Sequence, residues 1–543
     1  MPDRCHLPTA SVRHIFIQKG VLTLADLSLR LGLAAALAAA ASLASAQTVY
    51  PAPADESPAH WQALGQAELQ RALARTQNTQ RAKNVILFVG DGMGISTVTA
   101  ARIFDAQMRG SSGEENLLAF EGFPSVALSK TYNTNQQTAD SAGTMTAMMT
   151  GIKTRAGVIG VNQYADRADC QSSLGTHVPS LMQDAAARGL ATGFVTTTRI
   201  THATPAATYA NSPERNWESD ADLTAEAVAN GCQDIAAQLL SFDFGDGINV
   251  AMGGGLAAFV PTTETEPLTG LAGQRLDGRN LTREWLEKYD DSAFIWSKEQ
   301  LAAVDVASTR HVLGLFNRSQ MSYSYDRAGD DVSEPDLPTM TETAIRLLQN
   351  QAQDDGFFLM VEGGRIDHAH HAGNAYRALQ DTREFSAAVQ KAMALTREED
   401  TLIIVTADHS HSLTIGGYAT RGNSILGTVV GNDDHGHPST DASIADDNMP
   451  YTTLGYRDGL GFAENAGGDH RYSMPSAGGR HDLQEVDTTH PDFHQEALVP
   501  LPSEGHGGED VAIYARGPWS HLFHSTHEQH YIYHVMRHAL GWN

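Results

Sequence analysis

Three stretches of this 543-residue chain carry an apolar run into an acid. Val85-Ile-Leu-Phe-Val89 leads through Gly90 to Asp91, Phe357-Phe-Leu-Met-Val361 leads directly to Glu362, and Leu402-Ile-Ile-Val-Thr406 leads through Ala407 to Asp408-His409. One such acid is most often a turn former or a helix cap, because Asp and Gly favour tight turns. Three of them gathered at one sheet edge would repel strongly unless cations lay between them. Beyond Glu362 comes Gly363-Gly-Arg-Ile-Asp367-His-Ala-His-His371. A helix starting after the glycines places Asp367 and His371 four residues apart on one face, a good arrangement for one metal ion. Asp and His ligands suit a transition ion such as zinc with a position left for substrate, whereas carboxylates and hydroxyls suit a harder ion such as magnesium. The bland alternative is a solvated, His-rich helix start.

A nucleophile is offered by Thr138-Ala-Asp140-Ser141-Ala-Gly-Thr144-Met-Thr-Ala147, which reads as a loop entering a helix that ends near Gly151. A serine there would lie at the positive end of the helix dipole, where main-chain N–H groups accept phosphate. From this segment alone Ser141 reads better as an N-cap. Ala139-Asp-Ser141-Ala-Gly143 also falls one glycine short of the Gly-x-Ser-x-Gly elbow of serine esterases. That shortfall and the acidic strand ends both count against a metal-free esterase.

The elements that must hold these groups are legible in outline. Apolar runs of strand length recur at Val85–Val89, Ala191–Thr197, Phe357–Val361, Leu402–Thr406 and Val511–Tyr514, and amphipathic stretches separate them. That alternation predicts an α/β fold, with a parallel sheet covered by helices on both faces. Ligands then collect at the carboxyl ends of the strands. Leu64, Leu69 and Leu73 give Trp61–Arg75 a helical period, so residues 47–82 are expected to form an N-terminal helical arm ahead of a catalytic domain over 83–543. Between about 416 and 502 the texture turns to Gly, Asn, Asp, His and Pro, which reads as a subdomain inserted between two core strands.

Charge and leader narrow the classes further. The net charge of −27 is wrong for a general nucleic-acid or anionic-membrane binder, either of which needs a basic face. Leu31–Ala46 is an apolar stretch entered from Arg30 and closed by Ala44-Ser45-Ala46, the pattern of a secretory signal, so residues 1–46 are expected to be removed. With them go four basic and two acidic side chains, which takes the charge to −29. Secretion or a periplasmic location follows, with no stable membrane anchor in the mature chain. Cys170 and Cys232 remain. They most simply form a disulfide closing a loop of about sixty residues, worth roughly 4 kcal/mol. Two buried thiols are the alternative.

Taken in order, Asp91-Gly-Met-Gly, Asp140-Ser141-Ala, His202-Ala-Thr204-Pro, Glu362 to His371, Thr406-Ala-Asp408-His409-Ser and Gly505-His506-Gly-Gly-Glu-Asp resemble the alkaline phosphatases. Each motif is weak alone, but six in family order are specific, and they extend from about Lys83 to Gly517. The wording at Arg215-Asn-Trp-Glu-Ser-Asp-Ala-Asp222 and Gly231-Cys232-Gln-Asp-Ile235 is closer to the animal-type enzymes than to the enteric bacterial one. The resemblance implies a central, mostly parallel sheet with a crown-like inserted subdomain, a homodimer, and phosphate monoesters as substrates. It implies a first zinc held by Asp367, His371 and His506, and a second held by Asp91, Asp408, His409 and the oxygen of Ser141. Magnesium would use Asp91, Thr204 and Glu362, with His202 nearby. Ser141 would be the catalytic nucleophile and Arg215 the clamp on two phosphate oxygens, a role suited to guanidinium. A calcium site of animal relatives would map to Glu266, the Phe316 carbonyl and Glu334, although Asn317 stands where those relatives carry an acid. Cys170 and Cys232 correspond to a disulfide of the animal enzymes. The competing readings are a sulfatase or phosphodiesterase of the same superfamily, and a non-enzymatic secreted metal-binding protein.

Overall fold

Alternate side chains of the first apolar run face opposite ways, as the two-residue period of a strand requires. Val85, Leu87 and Val89 enter one hydrophobic core, Ile86 and Phe88 a second. In the computed structural model, which describes residues 48–329, 333–352, 354–460 and 480–542, this run is the central strand β1 (Asn84–Gly90) of a ten-stranded sheet. The other strands are β2 (Ser125–Lys130), β3 (Ala191–Arg199), β4 (Val250–Gly254), β5 (Ser292–Ile295), β6 (His311–Leu315), β7 (Phe357–Gly363), β8 (Thr401–Ala407), β9 (Val511–Arg516) and β10 (Thr526–Glu528). Their spatial order is β10-β2-β9-β8-β1-β7-β3-β4-β6-β5.

Helices cover both faces, as expected of a sheet whose central strands are apolar on both sides. On the Phe88 side lie α4 (Leu337–Ala352) and α6 (Ala375–Leu395), whose Phe385 meets the Phe88 ring edge-on at 5.7 Å. Truncating such a buried aromatic costs about 3–5 kcal/mol. On the Leu87 side lie α3 (Ser141–Thr150) and α7 (Tyr531–Ala539), through Met145, Met148, Ile532 and Met536. Two more helices matter below, α2 (Ile95–Gln107) and the short α5 (Arg365–His371). The N-terminal helix α1 (Pro58–Leu73) is capped by Ser57, which accepts from the His60 N–H, and has Pro58 in its first turn. None of its residues is buried.

The sheet is mostly parallel, as the fold expectation had it, and one strand is reversed. β9 runs antiparallel to both β8 and β2. The reason is positional: His506 must reach the end of the sheet where the other strands finish, so the strand that follows it has to run back down. From β8 the chain enters a separate three-stranded sheet, in which Leu413–Ile415 pairs antiparallel with Leu454–Gly459, and Leu454–Gly459 parallel with Ala497–Pro500. Two of its three strands fall within the segment read as an insertion and Leu413–Ile415 just precedes it; of that segment, 461–479 lie outside the described residues. The expected signal, 1–46, lies outside them too. Cys170 and Cys232 are joined as a disulfide, so the two-thiol alternative is not what the chain adopts. Among the described residues no helix is long and apolar enough to cross a membrane.

Candidate active site

Register explains how acids far apart in sequence become neighbours. Gly90 of β1 pairs with Ala407 of β8 on one side and Gly363 of β7 on the other. Asp91 and Asp408, each one residue past its strand, therefore emerge side by side, while Glu362 pairs with Val89 and with Thr196 of β3. All three acids are fully buried. Asp408 Oδ1 accepts from the N–H groups of Gly92 and His409, at 3.0 and 2.9 Å. Glu362 Oε2 accepts from Thr196 Oγ1 and, at 3.2 Å, from Thr198 Oγ1. Glu362 Oε1 and Asp408 Oδ2 are buried without a hydrogen bond, the latter 3.2 Å from His409 Nε2. Burial first and the adjacent Asp91 second push the carboxyls of both Glu362 and Asp408 upward in pKa.

The second group is built on α5. Asp367 and His371 share its face as expected, 3.4 Å apart between Oδ1 and Nε2. His506, in the two-residue strand that pairs with Ser410–His411, brings its Nε2 to within 3.4 Å of the same oxygen. Each imidazole is oriented from behind. His371 Nδ1 donates to the Glu504 carbonyl at 2.6 Å and His506 Nδ1 to the Ala139 carbonyl at 2.7 Å. In a neutral ring that leaves both Nε2 atoms as acceptors, and they face each other at 3.1 Å. Two acceptors and a carboxylate converging in this way fit a shared cation, as do the unpartnered carboxylate oxygens of the first group. Burial and His409 together hold the His506 pKa down. Burial works against ionisation of Asp367 as well, but His371, His411 and His506 outweigh it and keep that carboxyl well below its ordinary range.

Ser141 stands against the first group. It is the first residue of α3, and the N-cap is Asp140, whose Oδ1 accepts from the Gly143 N–H at 3.1 Å. The N-cap reading of Ser141 is therefore off by one residue, and the serine hydroxyl is free for other work. Its Oγ lies 3.1 Å from His409 Nε2 and 3.4 Å from Asp91 Oδ1. Thr204 Oγ1 donates to the other oxygen of Asp91 at 3.3 Å. Asp140 also reaches a second pair of donors, since its Oδ2 accepts from Arg215 Nη1 at 3.1 Å and from the Gly157 N–H at 2.8 Å. Arg215 Nη2 lies 3.2 Å from His202 Nε2. His202 is held well below its ordinary pKa by burial and by Arg215, so its neutral ring can accept there. His368, its ring 5.5 Å from that of His202, is lowered to about 3 by burial and Arg365.

The chain thus brings Asp91, Ser141, Thr204, Glu362, Asp408 and His409 together, sets Asp367, His371 and His506 beside them, and adds His202 and Arg215, joined to the serine through Asp140. Glu266, Phe316 and Glu334 are not part of these groups. Glu266 is buried against the Arg318 guanidinium, and Glu334 is engaged by Asn317 Nδ2 at 2.6 Å and the Ser322 N–H at 2.8 Å. Two site residues escaped the sequence reading. His411 donates from Nε2 to Asp367 Oδ1 at 2.8 Å and from Nδ1 to Glu504 Oε2. Burial opposes its protonation, but Glu504 and Asp367 prevail and lift its pKa to about 10. The one sequence signal was the Asp408-His-Ser-His411 alternation, which sends both imidazoles to one side of an extended segment. Gly92 makes room for that ring. It has φ +66°, and a Cβ there would lie 2.3 Å from His411 Cδ2.

Serine at a helix N-terminus, a tethered arginine, and buried acids interleaved with imidazoles at the end of a doubly covered sheet define a metal-dependent hydrolase site. The model of the alkaline phosphatase family matches residues 82–542, and the chain belongs to that family. It is 43% identical to the tissue-nonspecific alkaline phosphatase of Mus musculus over 89% of each chain. It is 42% identical to an alkaline phosphatase of Gadus morhua over 89% of this chain and 97% of that one. The animal-type resemblance is thereby borne out. Among solved structures, Thermus thermophilus alkaline phosphatase superposes with a TM-score of 0.59 at 23% identity, covering 87% of this chain and 94% of that one. The alkaline phosphatase of the Antarctic bacterium TAB5 gives 0.56 at 23% identity, over 86% and 100%. At that identity the likeness bears on the fold.

Proposed function

We propose that this chain hydrolyses phosphate monoesters to an alcohol and inorganic phosphate, in a metal-dependent transfer through Ser141. The observation that carries the reading is the placement of Ser141 Oγ within 3.1–3.4 Å of His409 and Asp91, one residue from the aspartate that tethers Arg215. Asp367, His371 and His506 would hold one zinc ion, and Asp91, Asp408 and His409 a second. Asp91, Thr204 and Glu362, with His202 nearby, would hold magnesium, in keeping with their hydroxyl and carboxylate donors. When bound, these cations supply Lewis-acid stabilisation of phosphoryl charge and lower the pKa of serine and water.

The protein's own groups do the rest. Ser141 Oγ gives up its proton to solvent and attacks phosphorus, the Oγ–P bond forms while the ester P–O bond breaks, and the alcohol departs taking one proton back from solvent. The Arg215 fork holds two phosphoryl oxygens, kept on station by Asp140. The α3 N-terminus favours the anion. Water then attacks the phosphoserine from the vacated side, the P–Oγ bond breaks, and inorganic phosphate leaves with the Ser141 hydroxyl restored. Recognition centred on phosphate implies broad tolerance for the alcohol.

The sulfatase or phosphodiesterase reading is not favoured, given a family match over nearly the whole described chain. Of the carboxylates in the calcium expectation, Glu334 is hydrogen-bonded by Asn317 and Ser322, while Glu266 is ion-paired with Arg318. The disulfide supports a secreted or periplasmic location. The apolar side chains of α1, with Trp61, Leu64, Leu69 and Leu73 all exposed, support a homodimer in which that arm packs on a partner. The deciding experiment follows p-nitrophenyl phosphate cleavage by the wild type and Ser141→Ala with zinc and magnesium added. The variant is expected to lose at least ~10³-fold in turnover while keeping its metals, and undiminished turnover would overturn the nucleophile assignment.

A further inference from the structure

Glu504 lies in the segment that returns from the small sheet to the site. It is 1% exposed, and such burial of a carboxylate is costly unless every polar atom is engaged. Every one is. Its N–H donates to the His371 carbonyl at 3.0 Å, and its own carbonyl accepts from His371 Nδ1 at 2.6 Å. Oε1 accepts from the Ser412 N–H at 2.7 Å and from Ser412 Oγ at 2.6 Å, and Oε2 accepts from His411 Nδ1. His411 then donates from its far nitrogen to Asp367 Oδ1 at 2.8 Å. One residue therefore grips two of the three groups assigned to the first cation. It holds His371 directly through its main chain and Asp367 at one remove through its side chain and the His411 ring. Two residues on, the same segment delivers the third group, His506.

The geometry points to Glu504 as the positioning residue of the Asp367–His371–His506 cluster. Its carboxylate fixes the His411 ring so that Asp367 Oδ1 is directed toward the two Nε2 atoms instead of turning to another donor. The backbone bonds to His371 survive any side-chain replacement at 504. The side-chain arm can therefore be removed alone, and what it contributes is retention of the cation. This inference rests on the metal-dependent reading of the site. Outer partners of this kind contribute about 10–100-fold to metal affinity.

The experiment loads full-length wild type, Glu504→Gln, Glu504→Ala and Ser412→Ala with zinc and follows its transfer to a chromogenic chelator, alongside melting temperatures of the metal-free proteins. Glu504→Gln and Glu504→Ala are expected to release one zinc per chain about 10-fold or more faster than wild type. Ser412→Ala, which keeps the His411 contact, is expected to release it at close to the wild-type rate. Glu504→Gln preserves the volume and serves if Glu504→Ala fails to fold. A wild type that takes up no zinc overturns the metal reading and this inference with it. A wild type that binds zinc beside a Glu504→Gln variant that releases it equally slowly overturns this inference alone.

Discussion

The Nε2 atoms of His371 and His506 face each other across 3.1 Å, and both Nδ1 atoms are committed to main-chain carbonyls. Neither ring can rotate to donate to the other without giving up its carbonyl. The pair is therefore a preformed acceptor site rather than a hydrogen bond. Chelation is expected to abolish phosphomonoesterase activity and zinc to restore it, measured as turnover against residual metal content. Activity indifferent to chelator would remove the basis for the cation assignment.

Asp140 serves α3 and Arg215 at once, and its two oxygens divide the work. Arg215→Ala is expected to weaken competitive inhibition by inorganic phosphate by about 10–100-fold, the worth of a charge-assisted pair. Asp140→Ala is expected to weaken it less and, in addition, to cost about 1 kcal/mol of stability through the lost cap. Inhibition constants and denaturant melts separate the two effects. Unchanged phosphate inhibition in Arg215→Ala would contradict the clamp.

Asp381, on α6, is buried, and its Oδ2 accepts from the Ser324 N–H at 3.1 Å. Burial and the neighbouring Glu384 push its pKa up to about 7, against the opposing pull of Arg327 and Arg365. The folded state thus keeps a proton that the unfolded chain has already lost, so this group penalises folding increasingly as pH rises from about 4 through about 7. Asp381→Asn, which can still accept from Ser324, is expected to raise the melting temperature relative to wild type at pH 8 more than at pH 5.5. A difference that is flat with pH would show that the acid titrates normally.

The Cys170–Cys232 bond closes a span of 62 residues. Replacing both by serine is expected to cost about 4 kcal/mol in the chain-entropy account. Reductant should lower the wild-type melting temperature and leave the double variant unchanged. The same shift in both would place the effect elsewhere.

Much of the site was legible because its residues follow apolar runs that could hardly be anything but buried strands. Asp91, Glu362 and Asp408 are of that kind, and in-register pairing of β8, β1 and β7 does the rest. His411 and Glu504 were not legible, since each becomes informative only through a partner 44 or 93 residues away in sequence. The direction of β9 was equally hidden. An apolar run of four such as Val511–Tyr514 looks the same whichever way it is threaded, and only the need to present His506 at the crowded end decides it.

That threading has a consequence for how the molecule is made. Among the described residues, strand β2 joins the large sheet only through β9, and β10 only through β2. Until residues 511–516 are in place, Ser125–Lys130 has no partner in the rest of the large sheet, and the outer edge of β8 is bare as well. Unpaired edges of this sort recruit other strands. The growing chain must keep them apart from its neighbours until the final stretch slides in between, and at that moment His506 closes the site. The strand that ties β2 to the large sheet and the histidine that completes the Asp367–His371–His506 cluster thus lie on one short stretch of chain.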